Sequence, residues 1–107
     1  MIERPAGMSE FYTLDVDLGS DVYVQFTHYS QEHHPDAPDP SGGLLIHRKT
    51  DSPTGWCAGA FSWWRPASET GKPIWTLNAR EPLDLSPSFR CHCGFHGFIR
   101  HGRWEQS

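Results

Sequence analysis

The sequence predicts a small all-β domain, a sandwich or open barrel of about six to eight short strands with a metal-knuckle hairpin near the C-terminus. Three observations carry this. Several segments alternate apolar and polar residues with the period of a strand. Ten Gly and nine Pro in 107 residues favour turns and extended backbone over helix. No window shows a helical period, and there is no repeat or low-complexity tract.

The elements follow in order along one domain, residues 1–107. Residues 1–9 read as an extended arm, because Pro5 and Gly7 interrupt any regular element. In residues 11–18, Tyr12, Leu14, Val16 and Leu18 alternate with Thr13, Asp15 and Asp17, the mark of a half-buried strand. Gly19-Ser20 reads as the turn into residues 21–29, where Val22, Val24, Phe26 and His28 share one face. Residues 30–43 form a long polar loop with three prolines, and loops of this length are usually functional. Further strands are expected at 44–48 and 56–64, separated by the turn chemistry of residues 51–55. A second loop at 65–73 leads to a strand at 74–79. Two prolines keep residues 81–89 extended, and 88–104 reads as a knuckle and terminal hairpin turning at 93–97 and at His101-Gly102.

A chain of this length buries roughly 60–70% of its unfolded surface, a thin margin for independent folding. Five Trp, three Tyr and six Phe offset an apolar fraction of only 36%, since each large ring buries about 150–250 Å². The formal net charge is −4, and its distribution is uneven: residues 1–42 hold eight acids and one base, residues 43–107 eight bases and five acids. This balance argues against nucleic acid as a partner. No apolar run has the length of a membrane span. The N-terminal residues lack the basic-then-apolar shape of a secretion signal. The expected setting is therefore a reducing cytoplasm or a particle assembled in one, where three Cys suggest a metal or free thiols more than disulfides.

The chemistry is concentrated in Arg90-Cys91-His92-Cys93-Gly94-Phe95-His96-Gly97. Metal knuckles place ligands three positions apart around a turn whose glycines permit positive φ, and Cys93 and His96 have that spacing. In extended backbone Cys91 shares a face with Cys93, while His92 points away. Thiolates with imidazole suit Zn²⁺ in a structural role, and a closed site takes four ligands. The remainder is open to Cys57 and His47. Cys57 reads equally as a small buried hydrophobe between Trp56 and Ala58, and His47 as a strand-surface residue. The loop residues Glu32, His33, His34, Asp36 and Asp39 read as a solvated segment. No motif of a hydrolase, kinase, dinucleotide enzyme or zinc protease is present. The expectation is accordingly a non-enzyme, with no catalytic residues and no small-molecule substrate.

Phe61-Ser62-Trp63-Trp64-Arg65 puts Trp63 and Trp64 on opposite faces of a strand. One ring is expected in the core, and the other, beside Arg65, is a candidate partner interface.

Residues Trp75-Thr76-Leu77, Pro82-Leu83-x-Leu85-Ser86-Pro87-Ser88, Cys91, Cys93-Gly94, His96-Gly97-Phe98-Ile99 and Gly102-x-Trp104 resemble an uncharacterised family of small phage, prophage and bacterial proteins. Similar proteins carry two residues between the paired Cys, where this chain has only His92. A His in an upstream strand recurs in them, which favours His47. The resemblance implies a phage context and a virion-associated structural role, as a capsid decoration or minor tail component. The partners would then be other virion proteins or further copies of the chain, in the virion or the host cytoplasm. The alternative is an accessory binding protein acting on a host protein or nucleic acid, and a metal-dependent hydrolase ranks third.

Overall fold

The hairpin that opens the fold is set by backbone chemistry at residues 17–22. Gly19 pairs with Val22, so the loop is Ser20-Asp21, both at positive φ (56° and 60°). Two such residues make a type I′ turn, whose twist matches that of the flanking strands. The turn lies one residue later than the sequence suggests, because a bulge between Asp17 and Gly19 takes up the extra residue. Asp17 Oδ1 fixes the bulge by accepting the Gly19 N–H at 2.9 Å.

The computed structural model describes residues 2–28, 30, 32–64 and 74–107. These contain nine strands and no helix: β1 (Val16–Gly19), β2 (Val22–Thr27), β3 (Gly42–Arg48), β4 (Trp56–Ser62), β5 (Thr76–Arg80), β6 (Leu83–Ser86), β7 (Phe89–Arg90), β8 (His96–Arg100) and β9 (Arg103–Gln106). They form three antiparallel sheets, β1-β2-β3-β4, β5-β6 and β7-β8-β9. The fold is thus the expected all-β sandwich, open rather than closed. No helix among the described residues is long and apolar enough to cross a membrane.

The four-stranded sheet is buried on both faces. On one, Leu18, Val22, Val24, Leu45 and Phe61 pack against Leu83, Leu85, Phe89, Ile99 and Trp104 of the smaller sheets. On the other, Ile46 and Trp56 are covered by Met8 and Leu14, with Ile2 and Tyr12 at the margin. The expected N-terminal arm is therefore the lid of a second core. β3 lies between the two cores, which explains its near-continuous burial.

Several strand limits differ from expectation for physical reasons. Residues 11–15 precede β1 and are not strand: Leu14 is drawn to the second core, while Leu18 enters the first. Gly42 and Gly43 belong to β3 and not to the preceding loop. A Cβ on Gly42 would stand 2.3 Å from the Phe61 carbonyl oxygen, so these glycines permit close sheet contact. The expected loop at 65–73 lies outside the described residues.

Candidate metal centre

Three elements converge on one point. His47 and Cys57 are direct cross-strand partners in β3 and β4, so their side chains leave the same face of the sheet, the face that carries Leu45 and Phe61. From above, the β7–β8 connection delivers Cys91 and Cys93. Gly59 lies beneath the loop: a Cβ there would meet Cys91 Sγ at 3.4 Å, an ordinary packing distance.

The connection is a tight loop closed by two backbone hydrogen bonds. The Gly94 N–H donates to the Cys91 carbonyl and the Cys91 N–H to the Phe95 carbonyl, both at 2.8 Å. Gly94 has φ +95°, a conformation that other residues adopt only with strain. Phe95 then stacks on His47, with ring centroids 4.0 Å apart and planes 8° from parallel. Its other side stacks on Trp104 at 5.0 Å. The stack fixes the imidazole ring.

The result is a cluster of His47, Cys57, Cys91 and Cys93 whose donor atoms all lie within 4.8 Å of one another. Cys57 Sγ is 3.6 Å from Cys91 Sγ, and Cys93 Sγ is 3.5 Å from His47 Nε2. A tetrahedron built with bonds of about 2.3 Å to sulfur and 2.0–2.1 Å to nitrogen has edges of about 3.8 Å between sulfurs and about 3.5 Å from sulfur to nitrogen. The two distances are close to those edges.

The protonation chemistry points the same way. His47 is 1% exposed, and burial lowers its pKa, holding the ring neutral. Its Nδ1 lies 3.2 Å from the Arg48 carbonyl. With the proton on Nδ1 donated there, the Nε2 lone pair is directed at the sulfurs, as in a ligating histidine whose other ring nitrogen is held by a backbone carbonyl. Burial, together with the neighbouring Cys91 and Cys93, pushes the Cys57 thiol up to about 12. At Cys93 burial also acts upward, but the Phe95 N–H, the other two thiols and Lys49 outweigh it and bring its pKa down. Cys57 thus resists ionisation beside its neighbours, and a cation in the cluster is what would make its thiolate favourable. The cluster can hold a metal ion.

Of the sequence candidates, Cys91, Cys93, Cys57 and His47 are brought together. His96 is not. Phe95 faces the sheet, so the next residue along the strand turns to the opposite side. There His96 Nε2 meets Ser88 Oγ at 2.8 Å and Nδ1 meets Ser107 Oγ at 2.9 Å. The knuckle spacing of Cys93 and His96 is therefore a coincidence of sequence. His92, expected to point away, borders the cluster, with Nε2 3.7 Å from Cys57 Sγ and Nδ1 3.6 Å from Cys91 Sγ. The loop's tight turn bends it back, an effect that strand alternation does not capture. Trp63 packs edge-on to Phe26 at 6.3 Å and joins the main core. Trp64 is half-buried and meets His34 of the long loop, edge-on at 5.7 Å. Arg65 lies outside the described residues.

Compared with known proteins, the chain matches no family model, no curated protein and no solved structure.

Proposed function

We propose that this protein is a non-enzymatic structural module in which His47, Cys57, Cys91 and Cys93 bind one Zn²⁺ that clamps the C-terminal sheet onto the four-stranded sheet. One observation carries the reading: four donors from two sheets lie within 4.8 Å of one another. With all four positions supplied by protein, no position is left for an activated water, which is the arrangement of structural and not catalytic zinc. Three thiolates around Zn²⁺ carry one net negative charge, and the Lys49 ammonium beside Cys93 and Cys57 offsets it. Iron is the next candidate for this ligand set, since tetrahedral thiolate-rich sites take either metal.

For the biological setting we propose, from the resemblance of residues 75–104 alone, a virion-associated component such as a capsid decoration or minor tail protein that contacts other virion proteins or its own copies. A metal in place of a larger core suits a protein of this size.

Two measurements test this. Elemental analysis of the purified chain is expected to give one zinc per molecule, with melting sharply lowered by EDTA; no stoichiometric metal and indifference to EDTA would end the metal reading. Mass spectrometry of purified particles is expected to find the chain in many copies; its absence from particles that encode it would end the virion reading.

A further inference from the structure

Cys57 Sγ and Cys91 Sγ lie 3.6 Å apart, and all three cysteines are free thiols. Cys93 borders both, but its sulfur is held by the Phe95 N–H and faces His47 Nε2 at 3.5 Å. The loop backbone already sits low over β4. Cys91 Cα and Cβ are each 3.9 Å from the place of a Cβ on Gly59, which shares a face with Cys57 two residues earlier. The pair is also close to solvent. Cys57 is half-buried, and the exposed His92 ring touches both sulfurs, with Nε2 3.7 Å from Cys57 and Nδ1 3.6 Å from Cys91. From this geometry we infer that the metal centre is also a redox switch, in which a peroxide oxidises Cys57 and Cys91 to a disulfide, the ion leaves, and Cys93 remains a free thiol. The inference rests on the metal reading above.

A metal-bound cysteine is a thiolate, the form that reacts. Cys57, the more exposed of the pair, attacks one oxygen of hydrogen peroxide. The O–O bond breaks, that oxygen stays on sulfur as a sulfenic acid, and the other leaves as hydroxide. The Cys91 thiolate then attacks the Cys57 sulfur, the S–S bond forms, and the S–O bond breaks to release a second hydroxide. The two sulfurs lose two electrons, the peroxide gains them, and both hydroxides take protons from solvent to become water. The sulfurs must close from 3.6 Å to about 2.05 Å, a movement of side chains with the loop already seated. His47 and Cys93 are then the only ligands left, and two do not hold a structural zinc that needs four. The new bond crosses the same joint as the ion, between β4 and a loop 34 residues further on. A covalent clamp thus replaces the metal one, and the fold outlasts its zinc.

The test treats the intact chain, purified under reducing conditions, with hydrogen peroxide. A chromophoric indicator follows released zinc, and tandem mass spectrometry after alkylation locates the disulfide and the free thiol. The expected result is one zinc released for each Cys57–Cys91 disulfide formed, with the alkyl group on Cys93. Dithiothreitol should restore all three thiols and zinc binding. The oxidised, zinc-free chain should melt about 10 °C or more above the reduced chain stripped with EDTA, the size expected for a cross-link over such a loop. A disulfide through Cys93, a link between two chains, or zinc lost to sulfinic and sulfonic acids with no disulfide would overturn the inference. So would thiols and zinc that persist in excess peroxide, or an oxidised chain no more stable than the stripped one. Zinc content before peroxide reports on the clamp and the disulfide map on the couple, so the two readings fail separately.

Discussion

At the scale of single residues, the two knuckle positions Cys93 and His96 separate chemically. Cys93 touches His47, whereas His96 bonds two hydroxyls on the far face. Cys93→Ser is expected to abolish stoichiometric zinc and cost at least about 2 kcal/mol, which is about 10 °C in Tm for a domain of this size. His96→Ala should keep its zinc and lose only about 1 kcal/mol for the hydrogen bonds removed; metal analysis and thermal melts of both variants check this. Cys91, Cys93 and the two outlying candidates were legible because Cys and His are few and their chemistry is narrow. His96 was misplaced because ligand spacing in sequence says nothing about which face of a strand each residue takes.

Asp84 gives a prediction in pH. Asn78 Nδ2 donates to its carboxylate at 2.9 Å, and the His101 N–H donates at 3.0 Å. These two bonds, Asn78 first, lower its pKa below the ordinary carboxylate range. In the unfolded chain Asp84 takes up a proton at higher pH than in the folded one. Its stabilising contribution is therefore fully present above about pH 4 and fades as pH falls through the lowered folded value. The gap in Tm between wild type and Asp84→Asn should be constant from neutral pH down to about pH 4 and narrow below it. A gap that widens in acid would contradict the assignment.

Among the elements, β8 and β9 show how a glycine sets a contact. A Cβ on Gly97 would lie 2.4 Å from Trp104 Cζ2 and 2.5 Å from the Glu105 carbonyl oxygen. Gly97→Ala should therefore destabilise by about 1–3 kcal/mol through overpacking, visible as an earlier urea midpoint with unchanged m-value. Strand cores were readable from alternation in β2 and from the neighbouring turn chemistry of residues 51–55 in β4. The limits were not where a rule had two meanings. Gly42-Gly43 is turn chemistry in sequence but close packing in the sheet. Leu14 fits the alternation of Val16 and Leu18 yet serves the opposite face, since the backbone leaves the sheet before β1 begins. The Ser20-Asp21 turn was displaced by a bulge, which sequence pattern does not show.

For the molecule as a whole, the fold class was legible because turn residues and alternation act locally. The grouping of nine strands into three sheets was not, because it depends on pairings between distant segments. The same is true of the second core, where residues 2–14 cover a face of the sheet that the sequence gives no reason to expect buried on both sides. The metal centre is a whole-molecule feature too. It joins β3 and β4 to a loop 34 residues beyond Cys57 at Cys91, across an interface otherwise held by rings and aliphatic side chains. Binding energy at such a site becomes folding energy, because the unfolded chain does not hold its ligands together.

X-ray absorption at the zinc edge, on protein purified without added metal, tests the central claim most directly. The clamp predicts a single zinc with three sulfur neighbours at about 2.3 Å and one nitrogen at about 2.0–2.1 Å. A shell of oxygen or nitrogen alone, or no bound zinc or iron at all, would contradict it.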